Sequence, residues 1–158
     1  MSKLDLMPDG QYVFGAVFVA ANRINTMLEK ELKKFDVTTK QWFLSIVIDN
    51  LFDRPPTIKE AAREMGSSHQ NVKQIALKLQ QKGFLTLEKD KQDSRAIRLK
   101  LTDSSLDFWK KLREEADAFT RTLFKDIDGD ELRAARNVIR KMLSNISEMD
   151  KINGENGR

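Results

Sequence analysis

Two short apolar stripes flank Gly66–Ser67–Ser68, and together they leave the chain few ways to fold. Ile58, Ala61, Ala62 and Met65 recur at helical spacing over two turns, and Val72, Ile75, Ala76 and Leu79 repeat the same i, i+3, i+4, i+7 pattern. Thr57 with Glu60 three residues on reads as a capping box that starts the first helix. Gly66 ends it where a left-handed backbone is cheap, Ser67 or Ser68 caps the second, and Gly83 closes that one. Two short helices joined by so tight a turn have the plan of a helix-turn-helix, although other helical hairpins share it.

The next segment narrows the choice. "FLTLEK" (84–89) and "RAIRLKL" (95–101) read as strands, with Ile97, Leu99 and Leu101 on one face and Ala96, Arg98 and Lys100 on the other. The polar "DKQDS" joins them. A β-hairpin directly after a helix-turn-helix is a wing, and its basic outer face lies beside the second helix.

Long helices are expected on both sides. Val13, Val17, Ala20, Ile24, Leu28, Leu32 and Phe35 mark one from near Gly10 to Phe35, apolar nearly all round in its first half. A helix of that kind needs burial on several sides, which a partner subunit can supply. "YVFGAVFVAA" (12–21) is too short to span a bilayer, and Lys3 offset by Asp5 and Asp9 argues against a secretory leader. Thr38 with Gln41 opens a second helix that "DRPP" (53–56) stops. Thr102 is expected to cap a fifth, from Asp103 to Lys125, with Leu106, Trp109, Leu112, Ala116, Phe119 and Leu123 inward. Asp128 with Glu131 starts the last, where Leu132, Ala135, Ile139, Met142, Ile146 and Met149 form either a core-facing stripe or a coiled-coil-like dimer seam. The expected fold is thus mainly α with a small β-hairpin wing: a helix at 1–36 for dimerisation, a winged helix-turn-helix at 37–102 (helix-turn-helix 57–82, wing 84–101), dimerisation helices at 103–150 and a disordered tail at 151–158.

Charge and residue usage bound the function. From His69 to Lys100 eight basic residues face three acidic ones, a surplus larger than the +4 of the whole chain. Such a cluster is either a solvated face or the footprint of a polyanion binder. The absence of cysteine excludes disulfides, cysteine nucleophiles and cysteine-bound zinc. His69 is the single histidine, with no triad or second ligand in motif form beside it. No catalytic residue, cofactor or metal is therefore expected, and the chain does not read as an enzyme.

"VTTKQWFLSIV" (37–47), "PTIKEAAREMGSSHQNVKQIALKLQQKGFL" (56–85) and "KDKQDSRAIRLKLT" (89–102) resemble the opening, the helix-turn-helix and the Asp-x-x-Asp-x-Arg…Leu-Thr wing of the multiple-antibiotic-resistance regulator (MarR) family of transcription factors. The resemblance runs from about Gly10 to Asp150. It implies a cytoplasmic homodimer on a pseudo-palindromic operator in double-stranded DNA, with no membrane partner. It further implies a repressor relieved by a small anionic or phenolic effector. The recognition helix would enter the major groove, the wing-tip Arg95 the minor groove, and Asp93 would orient Arg95. Residues of the first and second helices and the start of the fifth would line the effector cleft. Three positions depart from the family pattern: Ser94 replaces a frequent arginine, Lys91 a common proline, and His69 a frequent arginine at the start of the recognition helix.

On a helical wheel the face opposite Val72 and Leu79 presents Gln70, Gln74, Leu77 and Gln81, flanked by Lys73 on one side and Asn71 and Lys78 on the other. Gln and Asn bond bidentately to adenine, which nominates Gln70, Asn71 and Gln74 for bases and Lys73 and Lys78 for phosphates. Ser68 caps the helix and can donate to a phosphate, and His69 faces the backbone. Arg95 suits a narrow A·T-rich minor groove, with Lys89, Lys91 and Arg98 as weaker wing candidates. Leu77 either touches a thymine methyl or packs on a neighbouring element. The alternative reading is a winged-helix module that docks a protein and reads no DNA sequence.

Overall fold

A computed structural model describes the backbone of residues 6–156 and the side chains of 6–152, and among the described residues it has six α-helices and one hairpin. In order they are α1 (Asp9–Lys33), α2 (Thr39–Asn50), α3 (Ile58–Glu64), α4 (His69–Gln81), β1 (Leu85–Lys89), β2 (Ile97–Leu101), α5 (Leu106–Leu123) and α6 (Gly129–Asn156). The chain divides into two compact units, one ending at Ala116 and one beginning at Asp117. The division falls inside α5.

Local chemistry sets the helix starts. Thr38 Oγ1 accepts from the Gln41 amide at 3.1 Å while the Thr38 amide donates to Gln41 Oε1 at 3.2 Å. Thr57 and Glu60 repeat the device at 3.2 and 2.7 Å. In the second unit the Asp128 amide donates to Glu131 Oε2 and Asp128 Oδ1 accepts from the Glu131 amide, at 2.9 and 2.8 Å. The ends are set by left-handed residues. Gly66 (φ 59°) and Gly83 (φ 73°) each let the following amide reach back five residues, Ser67 to Ala62 O and Phe84 to Leu79 O. Asp36 (φ 55°) does the same for α1, one of the few non-glycine types that tolerates this region.

The first unit buries one core. Leu28 and Leu32 of α1, Leu44 and Val47 of α2, Ile58 and Ala61 of α3, and Val72, Ala76 and Leu79 of α4 are all shielded from solvent. β1 and β2 pair antiparallel with Leu85 opposite Leu101 and Leu87 opposite Leu99, which turns Leu85, Leu99 and Leu101 into the same core. Phe84 stacks on Phe108 (centroids 4.6 Å apart) and meets Trp109 edge-on, so the exit of α4 is held to the start of α5.

Three expectations change. Thr102 does not cap with its side chain. Its hydroxyl donates instead to Gly83 O at 2.8 Å, and one 3-10 turn over 103–105 precedes α5. Leu106 and Leu123, expected inward, are exposed, while Trp109, Leu112 and Ala116 are buried as their spacing predicts. The expected disordered tail from residue 151 is helical through Asn156, with residues 157 and 158, like 1–5 at the other end, outside the described residues. Burial along α1 is graded: Val13 and Val17 are exposed, and only Leu28 and Leu32 are enclosed.

Glu60 supplies a measurable pH dependence. The Thr57 amide, and then Arg54 at 2.7 Å, hold its carboxyl down to about 2 from the ordinary 4.5. A folded value below the unfolded one stabilises above the unfolded value, and the stabilisation is lost as pH falls through the folded one. Glu60→Gln keeps the capping geometry and removes the charge. The parent is expected to exceed it by on the order of 2 kcal/mol at neutral pH, after allowing for solvent screening. Denaturant titrations should show that gap closing between pH ~5 and ~2; a pH-independent gap would mean the charge contributes nothing.

Candidate nucleic-acid interface

α4 separates its two jobs by face. Val72, Ala76 and Leu79 face the core, while Ser68, His69, Gln70, Asn71, Gln74 and Lys78 are exposed and Lys73 is half-buried. Ser68 Oγ accepts from the Asn71 amide at 3.1 Å, so it is the cap, and Ser67 is not. Leu77 is half-buried, which withdraws it in part from the polar face.

The wing tip is a closed loop. The Asp90 amide donates to Ala96 O and the Ala96 amide to Asp93 O, both at 2.9 Å. Asp93 Oδ1 accepts from the Arg95 amide at 3.0 Å and lies 3.7 Å from Arg95 Nε. Arg95 itself keeps 94% of its side-chain exposure, so Asp93 steers it without burying it. Lys91 and Ser94 are exposed on the same loop.

Seven of the expected residues fall into two groups, while Ser68, Gln70, Lys91 and Ser94 line neither cleft. His69 and Lys73 share a cleft of about 630 Å³ with Asp93 and Arg95 of the wing, floored by Ile58 and Ile97. Asn71, Gln74 and Lys78 line a second cleft of about 370 Å³ on the α1–α2 side, beside Asn25, Thr38 and Gln41. Two lysines that the sequence reading passed over join them, Lys59 in the first cleft and Lys40 in the second. Each sits in the first turn of a helix whose cap was legible, and that position was the available signal. Arg98 departs from the outward basic role given to it. Its guanidinium turns to Pro55 O and Asp90.

A third cleft of about 530 Å³ lies among Ile24 and Leu28 of α1, Trp42 and Phe43 of α2, the Met65–Ser67 turn and Ile75. Thr39 Oγ1 and Trp42 Nε1 are buried there with no hydrogen-bond partner among the described residues. Among the described residues, none of α5 lines it.

Helix-turn-helix followed by a two-stranded wing, between long terminal helices, defines the winged-helix class. Solved structures of MarR-family transcriptional regulators share this fold. A MarR/EmrR family regulator from Acinetobacter matches with a TM-score of 0.79 at 13% identity, over 90% of this chain and 99% of its own. A MarR protein from Peptoclostridium difficile matches at 0.76 and 20% identity, over 87% and 88%. The Staphylococcus aureus MepR–DNA complex matches at 0.71 and 20% identity, over 86% and 95%. No family model matches the sequence. Among the described residues no helix is long and apolar enough to cross a membrane.

Proposed function

We propose that this chain is a dimeric regulator of transcription that reads double-stranded DNA, with α4 in the major groove and Arg95 in the minor groove. The observation that carries the reading is the shared cleft in which Lys73 and His69 of α4 meet the exposed, Asp93-steered Arg95 of the wing. A basic surface spanning a helix and a hairpin suits two grooves of one duplex. The likeness to a MepR structure solved on DNA supports it. A second copy of the chain covers the apolar residues exposed on α1 and on α6. A repressor relieved by a small anionic or phenolic effector fits the Trp42 cleft, where an acceptor on the ligand would satisfy Trp42 Nε1 and Thr39 Oγ1.

Selection of bound sequences from a random duplex library tests the reading and gives the half-site spacing. On the selected site, Arg95→Ala is expected to cost about 1–3 kcal/mol. Lys73→Ala should weaken binding across sequences and flatten the slope of log affinity against log salt by about one. Unchanged binding in a Gln70/Gln74/Arg95 triple alanine variant would falsify the placement of the reading face. No retardation of any duplex at low salt would favour a protein-docking winged helix instead.

A further inference from the structure

A two-stranded hairpin is marginal by itself in water, so what fastens the wing to the lobe matters. Part of the fastening is backbone. The Leu99 amide donates to Pro56 O at 2.8 Å, and Thr57 and Arg98 form an isolated bridge, so residues 56–57 tie β2 to the start of α3. The rest is one side chain. Arg98 Nη1 donates to Pro55 O at 2.7 Å and Nη2 to Asp90 Oδ2 at 2.8 Å. Glu60 Oε2 lies 4.0 Å away. The Arg98 and Asp90 side chains retain only 23% and 13% of their exposure, so this attraction is screened less than a surface pair. The planar guanidinium fixes direction as well as distance.

Asp90 sits at the hinge of the wing, just past the end of β1. Its Oδ1 accepts from the Gln92 amide at 3.2 Å, inside the tip loop, while its Oδ2 holds Arg98. One carboxylate thus joins the loop that carries Arg95 to the strand root and, through Arg98, to the segment that starts α3.

We infer that Arg98 is a positioning residue: its two-pronged grip on Pro55 O and Asp90 sets the angle at which the wing offers Arg95 to the minor groove, and Arg98 touches no DNA itself. This rests on the DNA-reading function proposed above. The tests separate the two. A parent chain that retards no duplex overturns both. Given parental binding, Asp90→Asn keeps the Oδ1 acceptor for Gln92 and removes a negative charge near the duplex. Charge alone would strengthen binding; loss of the clamp weakens it, and a weakening of about tenfold, the scale of one good contact, is expected. Arg98→Met should weaken binding by a similar factor, and Arg98→Lys, which restores charge but not the fork, should not rescue it. In an Arg95→Ala background Arg98→Met should cost less than about twofold more, because the contact it positions is already gone. Tighter binding by Asp90→Asn, rescue by Arg98→Lys, or additive losses in the cycle would each overturn the inference. Thermal melts of every variant accompany the titrations. A lobe unfolded by Arg98→Met transfers the decision to Asp90→Asn.

Discussion

On the proposed dimeric, DNA-reading function, charging the apolar stripe of α6 with Ile139→Glu and Ile146→Glu is expected to yield a monomer that holds its operator on the order of 10²–10⁴-fold more weakly. Ile139 and Ile146 keep 43% and 51% of their exposure, in a helix that also exposes Val138, Leu143, Met149 and Ile152. Scattered exposed apolar residues are ordinary, but a continuous run along a helix marks an interaction surface. Carboxylates there cost little in an isolated chain and a great deal once desolvated against a partner. The loss of affinity follows because a dimer delivers its second half-site at millimolar effective concentration, and a monomer binds each half-site alone. Sedimentation gives the mass and a gel shift the affinity. A variant that keeps the parent's mass would remove α6 from the proposed dimer interface.

Leu79→Ala is expected to destabilise the lobe by about 2–5 kcal/mol, the range for an enclosed leucine whose cavity cannot fully collapse. Leu79 has no solvent exposure and lies on the core side of α4, and its carbonyl accepts from the Phe84 amide at the helix exit. Chemical denaturation should show the midpoint falling at unchanged m. A loss under about 1 kcal/mol would mean that α4 is not seated as described.

What was legible in the sequence was local. The capping pairs Thr38–Gln41, Thr57–Glu60 and Asp128–Glu131 each span three residues, so the pattern that names them also places the atoms. The stripes of α3 and α4 were readable for the same reason, as was the strand alternation that turned Leu99 and Leu101 inward. What was not legible depends on reach. Alternation put Arg98 on the outer face, but its long side chain folds back to a carbonyl 43 positions away in sequence. Thr102 has a capping type of residue in a capping position, yet its hydroxyl finds Gly83 O, 19 residues earlier. The Trp42 cleft takes its lining from α1, α2, the Met65–Ser67 turn and α4, a grouping that no local pattern encodes. Asp36 carries no sequence signal that distinguishes a left-handed helix end from an ordinary surface aspartate.

α4 keeps Val72, Ala76 and Leu79 wholly enclosed while Gln70, Asn71 and Gln74 stand in solvent. Substitutions at such exposed positions cost the folded state within about 0.5 kcal/mol, whereas those on the buried side cost several times more. The two faces therefore answer to different selective pressures. On the proposed function, a lineage can exchange the three outward residues and acquire a new target without first compensating for lost stability. On that reading, target preference is free to drift while the scaffold stays still.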